Sequence, residues 1–136
     1  MTAWRLPAGA LAAGFAPPPP IVGPADETPH GEAANAVAVS PDGREAVVAV
    51  ENRLLRYAVG SGRLLRQLPG PGGIVRHVAW SPAGAEILVT AFYDPAAHLL
   101  AADDGRELRR IAVEHEASAV AFSADGRWAA VGSAAG

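Results

Sequence analysis

Three segments of the chain carry the same strand-and-turn phrase: Val37-Ala38-Val39-Ser40-Pro41-Asp42-Gly43, Val78-Ala79-Trp80-Ser81-Pro82-Ala83-Gly84 and Val120-Ala121-Phe122-Ser123-Ala124-Asp125-Gly126. Their serines lie 41 and then 42 residues apart. A unit that recurs at this interval constrains the fold more than any single residue. Each copy is too small to bury its own apolar face and must stack on its neighbours.

The interior of one unit follows from local chemistry. Val37 and Val39 alternate with Ala36 and Ala38, a short strand apolar on both faces. Pro41 presets φ for the turn, Asp42 bonds its own backbone and Gly43 accepts positive φ. Residues 44–50, rich in β-branched Val, predict a second strand, 54–59 a third and 63–68 a fourth, with Gly60-Ser61-Gly62 turning the chain between the last two. Residues 69–73, Pro and Gly throughout, form a loop. The order repeats as strands over 75–80, 85–91, 97–102 and 106–113, with Asp103-Asp104-Gly105 standing where Gly60-Ser61-Gly62 stood. A third unit opens with strands over 118–122 and 127–133. The doublets Arg53-Leu54-Leu55-Arg56 and Arg63-Leu64-Leu65-Arg66 have helical i, i+3 spacing. They are far shorter than the roughly 12 residues at which an isolated helix becomes credible, so strand is the expectation.

Composition agrees. Half of the 136 residues are hydrophobic, with 15 Gly and 12 Pro, which suits short strands and tight turns. The innermost strands carry little charge, so they are expected to be covered on both sides, as in radially stacked sheets. The net charge is −3, with −2 in residues 1–33 and −1 in the remainder. Neither segment has the basic field that selects nucleic acid or an anionic membrane. With no cysteine, disulfides, thiolate metal sites and a cysteine nucleophile are excluded. No stretch approaches the roughly 18–20 apolar residues that span a bilayer, so no membrane span is expected. Residues 1–33 read as a Pro- and Ala-rich disordered lead-in. The small-residue run 6–16 after Arg5 has a weak signal-like character, but Pro7 interrupts it. Pro17 to Pro20 read as a stiff spacer.

These residues resemble the WD-repeat β-propeller family over roughly 34–136. The strand-turn cores named above, Arg127-Trp128-Ala129-Ala130-Val131-Gly132-Ser133 after the third, the late-turn glycines Gly62 and Gly105, and His30 ten residues before Ser40 match its pattern. The Trp-Asp pair is missing: Tyr57-Ala58 and Leu100-Ala101 stand there. Pro71 replaces the His ten residues before Ser81, and His115 is only eight before Ser123. The family's Asp-His-Ser/Thr-Trp network is therefore not expected. A related propeller group with bacterial Tyr-Val-Thr-Asn-type repeats has similar turns. The resemblance implies an all-β, partial β-propeller of four-stranded antiparallel blades, two full blades plus half of a third. Closed propellers use roughly four to eight blades.

Candidate chemistry is sparse. His30, His77, His98 and His115 show no pairing at metal-ligand spacing, and Glu114-His115-Glu116 would put neighbours on opposite faces of a strand. Asp94, Asp103, Asp104 and Asp125 read as turn formers, and Ser40, Ser81 and Ser123 as turn residues. No nucleophile elbow, phosphate loop or dinucleotide fingerprint occurs. Trp80 and Phe122 share a repeat position and read as core. Arg53, Arg56, Arg63, Arg66, Arg106, Arg109 and Arg110 form one surface-like cluster, read as a solvated outer edge that discourages strand addition, with a binding patch for an acidic partner as the alternative.

No catalytic, cofactor-binding or metal residue is assigned, and no cofactor is expected. The expected function is a non-catalytic protein–protein interaction scaffold, presenting the loops around 51–52, 69–73 and 93–95 to a protein partner. The alternative is a truncated fragment of a larger extracytoplasmic or enzymatic propeller whose active residues lie in missing blades. Self-association through the open blade edge is a further expectation, with a cytoplasmic location and secretion as its alternative.

Overall fold

A computed structural model describes residues 34–133 together with two short strands, Thr2–Arg5 (β1) and Ala10–Gly14 (β2), which pair antiparallel. The expected lead-in over 1–33 otherwise lies outside the described residues, as do His30 and the four consecutive prolines.

The described chain is all β, with no helix. Its first sheet is a meander of Ala34–Val39 (β3), Glu45–Val50 (β4), Arg53–Ala58 (β5) and Leu64–Leu68 (β6), each paired with the next. The second repeats it with Val75–Trp80 (β7), Glu86–Ala91 (β8), Ala96–Ala101 (β9) and Glu107–Ala112 (β10). Ala117–Phe122 (β11) and Ala129–Ser133 (β12) make a two-stranded third sheet. The three antiparallel sheets stand side by side and do not close. Both Arg-Leu-Leu-Arg doublets fall in or beside β5 and β6, because glycine turns and cross-strand pairing override their local helical spacing.

The sheets are equivalent down to single hydrogen bonds. Ser40, Ser81 and Ser123 each donate their amide to the carbonyl five residues on, at 2.8, 2.9 and 2.8 Å. Their hydroxyl oxygens accept the amides of Glu45, Glu86 and Trp128 at 3.0, 3.1 and 3.0 Å. Gly43, Gly84 and Gly126 complete the turns at φ 72°, 81° and 73°, a region that side chains with a Cβ rarely enter. A register shift near the start of the first strand also recurs, at 34/36, 75/77 and 117/119.

The core lies between sheets. Residues opposite one another in register share a face, so Val47, Ala49, Leu54 and Leu68 point the same way from the first sheet. They pack against Val75, Ile87, Val89, Leu100 and Ala102 of the second, with Ala36, Ala38, Val78 and Trp80 at the margin. Val48, Val50, Leu55 and Tyr57, on the other face of the first sheet, form a separate cluster with Leu64. Adjacent sheets are also stitched through their backbones. Val75 N–H donates to Glu51 C=O and Ala117 N–H to Asp94 C=O, both at 2.9 Å.

Two expectations need correction. The first strand β3, expected to be covered on both sides, is not: Val37 and Val39 are 49% and 57% exposed. Successive residues alternate between faces, and only the Ala36 and Ala38 face of β3 meets the cluster shared with the second sheet. The doubly covered, uncharged runs are instead those of β4 and β8. Arg56 also leaves the outer arginine edge. Opposite Val47 in register, it faces the second sheet, where it donates to Ala102 C=O at 2.8 Å, pairs with Glu45 and lies 5.8 Å from the centre of the Trp80 ring. Its charge is matched and its stem covers apolar surface, so the inward position is tolerated.

Candidate functional site

The connections of the first two sheets fall at two ends. One end holds the Ser-x-x-Gly turns, and there Asp42 and Asp125 are tied into local geometry. Each carboxylate accepts its serine's hydroxyl at 2.6 Å and a backbone amide two residues on at 3.0 Å. Those bonds, the hydroxyl's first, hold both carboxyls below the usual aspartate range. Asp104 is lowered likewise, first by the Arg106 amide. These groups do structural work, as the sequence suggested for Asp104 and Asp125.

The opposite end gathers the three connections expected to face a partner. The β4–β5 turn, the β6–β7 linker and the β8–β9 turn meet there because the linker threads between the two turns. Val75 N–H reaches Glu51 C=O, and Phe92 N–H reaches Ile74 C=O, at 2.9 Å each. Gly70 sits so close to Asn52 that a Cβ there would fall on the Asn52 carbonyl oxygen and 3.0 Å from its carbon. The gap that remains is an open groove of about 360 Å³ lined by Asn35, Glu51, Ile74, Phe92 and Tyr93. Ile74 and Phe92 are exposed, and Tyr93 is 89% exposed. Glu51 and Tyr93 hold φ of 53° and 61°, left-handed values unusual for residues with a side chain.

Arg76 and Glu116 border this surface. The Arg76 guanidinium lies 5.3 Å from the centre of the Phe92 ring and donates to Glu116 at 2.7 Å. The Phe92 and Tyr93 rings stand 6.3 Å apart, tilted by 49°. The sequence pointed to the loops around 51–52 and 93–95 as partner-facing but not to Asn35, Ile74 and Phe92. The available signal was the large apolar residues bracketing the linker and the β8–β9 turn, where loops are ordinarily polar.

Asp94 is not a turn former through its own side chain. Its carboxylate accepts from His98 Nε2 at 2.7 Å, while His98 Nδ1 bonds Glu107. The imidazole is buried on β9 and clamped between the β8–β9 turn and β10. Burial works against its charge, but the bonds to Asp94 and Glu107 outweigh burial and raise its pKa above 6.5. A histidine whose pKa is raised by folding stabilises fully below its unfolded value and loses that contribution as pH climbs through the folded one. Thermal midpoints are therefore expected to fall as pH rises above about 6.5 through the neutral range, and His98→Gln should flatten the dependence. An unchanged slope in the variant would show that the clamp carries no linked proton.

Among the described residues no group of three or more His, Asp or Glu is placed to hold a metal, and no helix is long and apolar enough to cross a membrane. Of the arginines read as an outer edge, Arg66 donates to the Asp103 backbone carbonyl at 2.7 Å and Arg56 turns inward to the Ala102 carbonyl. Comparison of the chain with protein-family models gives no match, and comparison with curated proteins gives none either.

Proposed function

We propose that the sheets are blades of a WD-repeat-type propeller array, and that the chain is a non-catalytic interaction module binding a protein partner through the groove end. The observation that carries this reading is the convergence of three connections on one open, aromatic surface. An exposed tyrosine held at left-handed φ weighs in the same direction. That backbone costs about 1–2 kcal/mol relative to glycine, and at 89% exposure Tyr93 recovers little by packing. Strain of this kind concentrates where a side chain is needed for contact.

The test is a comparison of captured proteins. Immobilised wild-type chain should retain a partner that Tyr93→Gly and Ile74→Ser both lose. Tyr93→Gly should leave the unfolding midpoint unchanged or slightly raised, because glycine relieves the strained φ while loosening the unfolded chain by a similar amount. Identical capture by wild type and both variants, or capture of nothing, would refute the assignment.

A further inference from the structure

We infer that the groove recognises an arginine side chain on an exposed segment of its protein partner, an inference that rests on the interaction-module reading. The chain itself supplies the internal precedent. At this end a guanidinium already lies over an aromatic ring, Arg76 on Phe92, with its charge met by the Glu116 carboxylate. The groove next to it offers the same pair of elements unused. The Tyr93 side chain is almost wholly exposed, and Glu51 lines the groove with no ion pair among the described residues. Aromatic faces attract cations through their quadrupole, and a planar guanidinium can stack on a ring while donating two parallel bonds to a carboxylate.

Size and charge narrow the choice of occupant. At about 360 Å³ the groove is at the small end of ligand sites, enough for one side chain with its apolar stem along Ile74. An anionic side chain would face Glu51, and the neighbouring cation Arg76 is already matched by Glu116. A purely apolar side chain would cover Glu51 and remove water from the carboxylate without replacing its bonds. Arginine satisfies the carboxylate, the rings and the apolar wall together. Lysine, a compact and strongly hydrated charge, stacks less well and cannot fork.

The experiment uses the full chain and fluorescein-labelled peptides of sequence Gly-Ser-Leu-Arg-Leu-Ser-Gly, with a second probe carrying neutral, isosteric citrulline in place of arginine. Fluorescence anisotropy should show saturable binding of the arginine peptide, weakening with salt, and about tenfold weaker binding of the citrulline peptide. Glu51→Gln should abolish that discrimination by weakening the arginine peptide alone. Tyr93→Gly should weaken both peptides, with neither variant lowering the unfolding midpoint. No saturable binding up to about 1 mM, equal affinity for the two probes, or discrimination that survives Glu51→Gln would overturn the inference. If the peptides fail while partner capture still depends on Tyr93 and Ile74, arginine recognition falls and the interaction module stands. If capture fails as well, both fall.

Discussion

Leu54→Ala is expected to destabilise the chain by about 2–5 kcal/mol. Leu54 is fully buried on β5, opposite Ala49 and Leu68 in register, and belongs to the cluster that spans the first and second sheets. Truncation removes three heavy atoms from a site walled by two sheets, whose backbones are fixed by ladder bonds. The cavity cannot collapse, so the loss should lie in the upper part of that range. A domain of this kind has only about 5–15 kcal/mol to lose. Urea unfolding followed by fluorescence and by far-ultraviolet dichroism would measure the change. Trp80 sits at the margin of the same cluster, so the two probes should shift together. Leu65→Ala is the control: Leu65 is half exposed on edge strand β6, and its loss should cost less than about 1 kcal/mol. Equal effects of the two substitutions would show that the sheets do not share a packed interior.

Gly70→Ala is expected to break the groove as well as lower stability. The added methyl would meet the Asn52 main chain, so no flexible side chain can yield; either the β6–β7 linker or the β4–β5 turn must move. Overpacking of this sort costs about 1–3 kcal/mol. The displacement falls beside the bond from Val75 N–H to Glu51 C=O that stitches the first two sheets. Hydrogen exchange should therefore show the Val75 amide losing protection before the amides of β4. Gly43→Ala separates the two ways a glycine can matter. A Cβ at Gly43 meets open space, so its penalty is the φ of 72° alone, about 1–2 kcal/mol. It should leave Val75 protected and the groove intact. Unchanged Val75 exchange in Gly70→Ala would mean that the two loops are not in the close approach described.

Much of the fold was legible because a repeat states its own alignment. The interval between serines placed β7 without error and the other strands of residues 34–133 within one or two residues. The signals are local: proline and glycine at the turn, β-branched runs between turns, and a serine whose hydroxyl reaches its own hairpin. Gly62 and Gly105 were likewise placed in equivalent late turns by position, and both have positive φ. The site was legible only in part. Residues 51–52, 69–73 and 93–95 were expected to face a partner, but that they gather at one end is seen only in the bonds between them. That Ile74, Phe92 and Asn35 complete the groove depends on the linker passing between two turns, and neither residue type nor spacing encodes that path.

His98 and Arg56 show where local reading stops. Each is a polar residue in a strand, and alternation predicts that such residues face water. Both instead point into packed surroundings, because charged or hydrogen-bonding partners arrive from other elements: Asp94 and Glu107 for His98, Glu45 and the Ala102 carbonyl for Arg56. Burial of a polar group is permitted only when such partners exist, and sequence separation hides them.

The order of strands, the turn types and the equivalence of the units were determined by the sequence itself, through backbone preferences that operate within a few residues. The tertiary structure alone decided which face of each strand is covered, which arginine turns inward and which loops meet. Those outcomes depend on how one sheet lies against the next, and no residue carries that information without its neighbours across the gap.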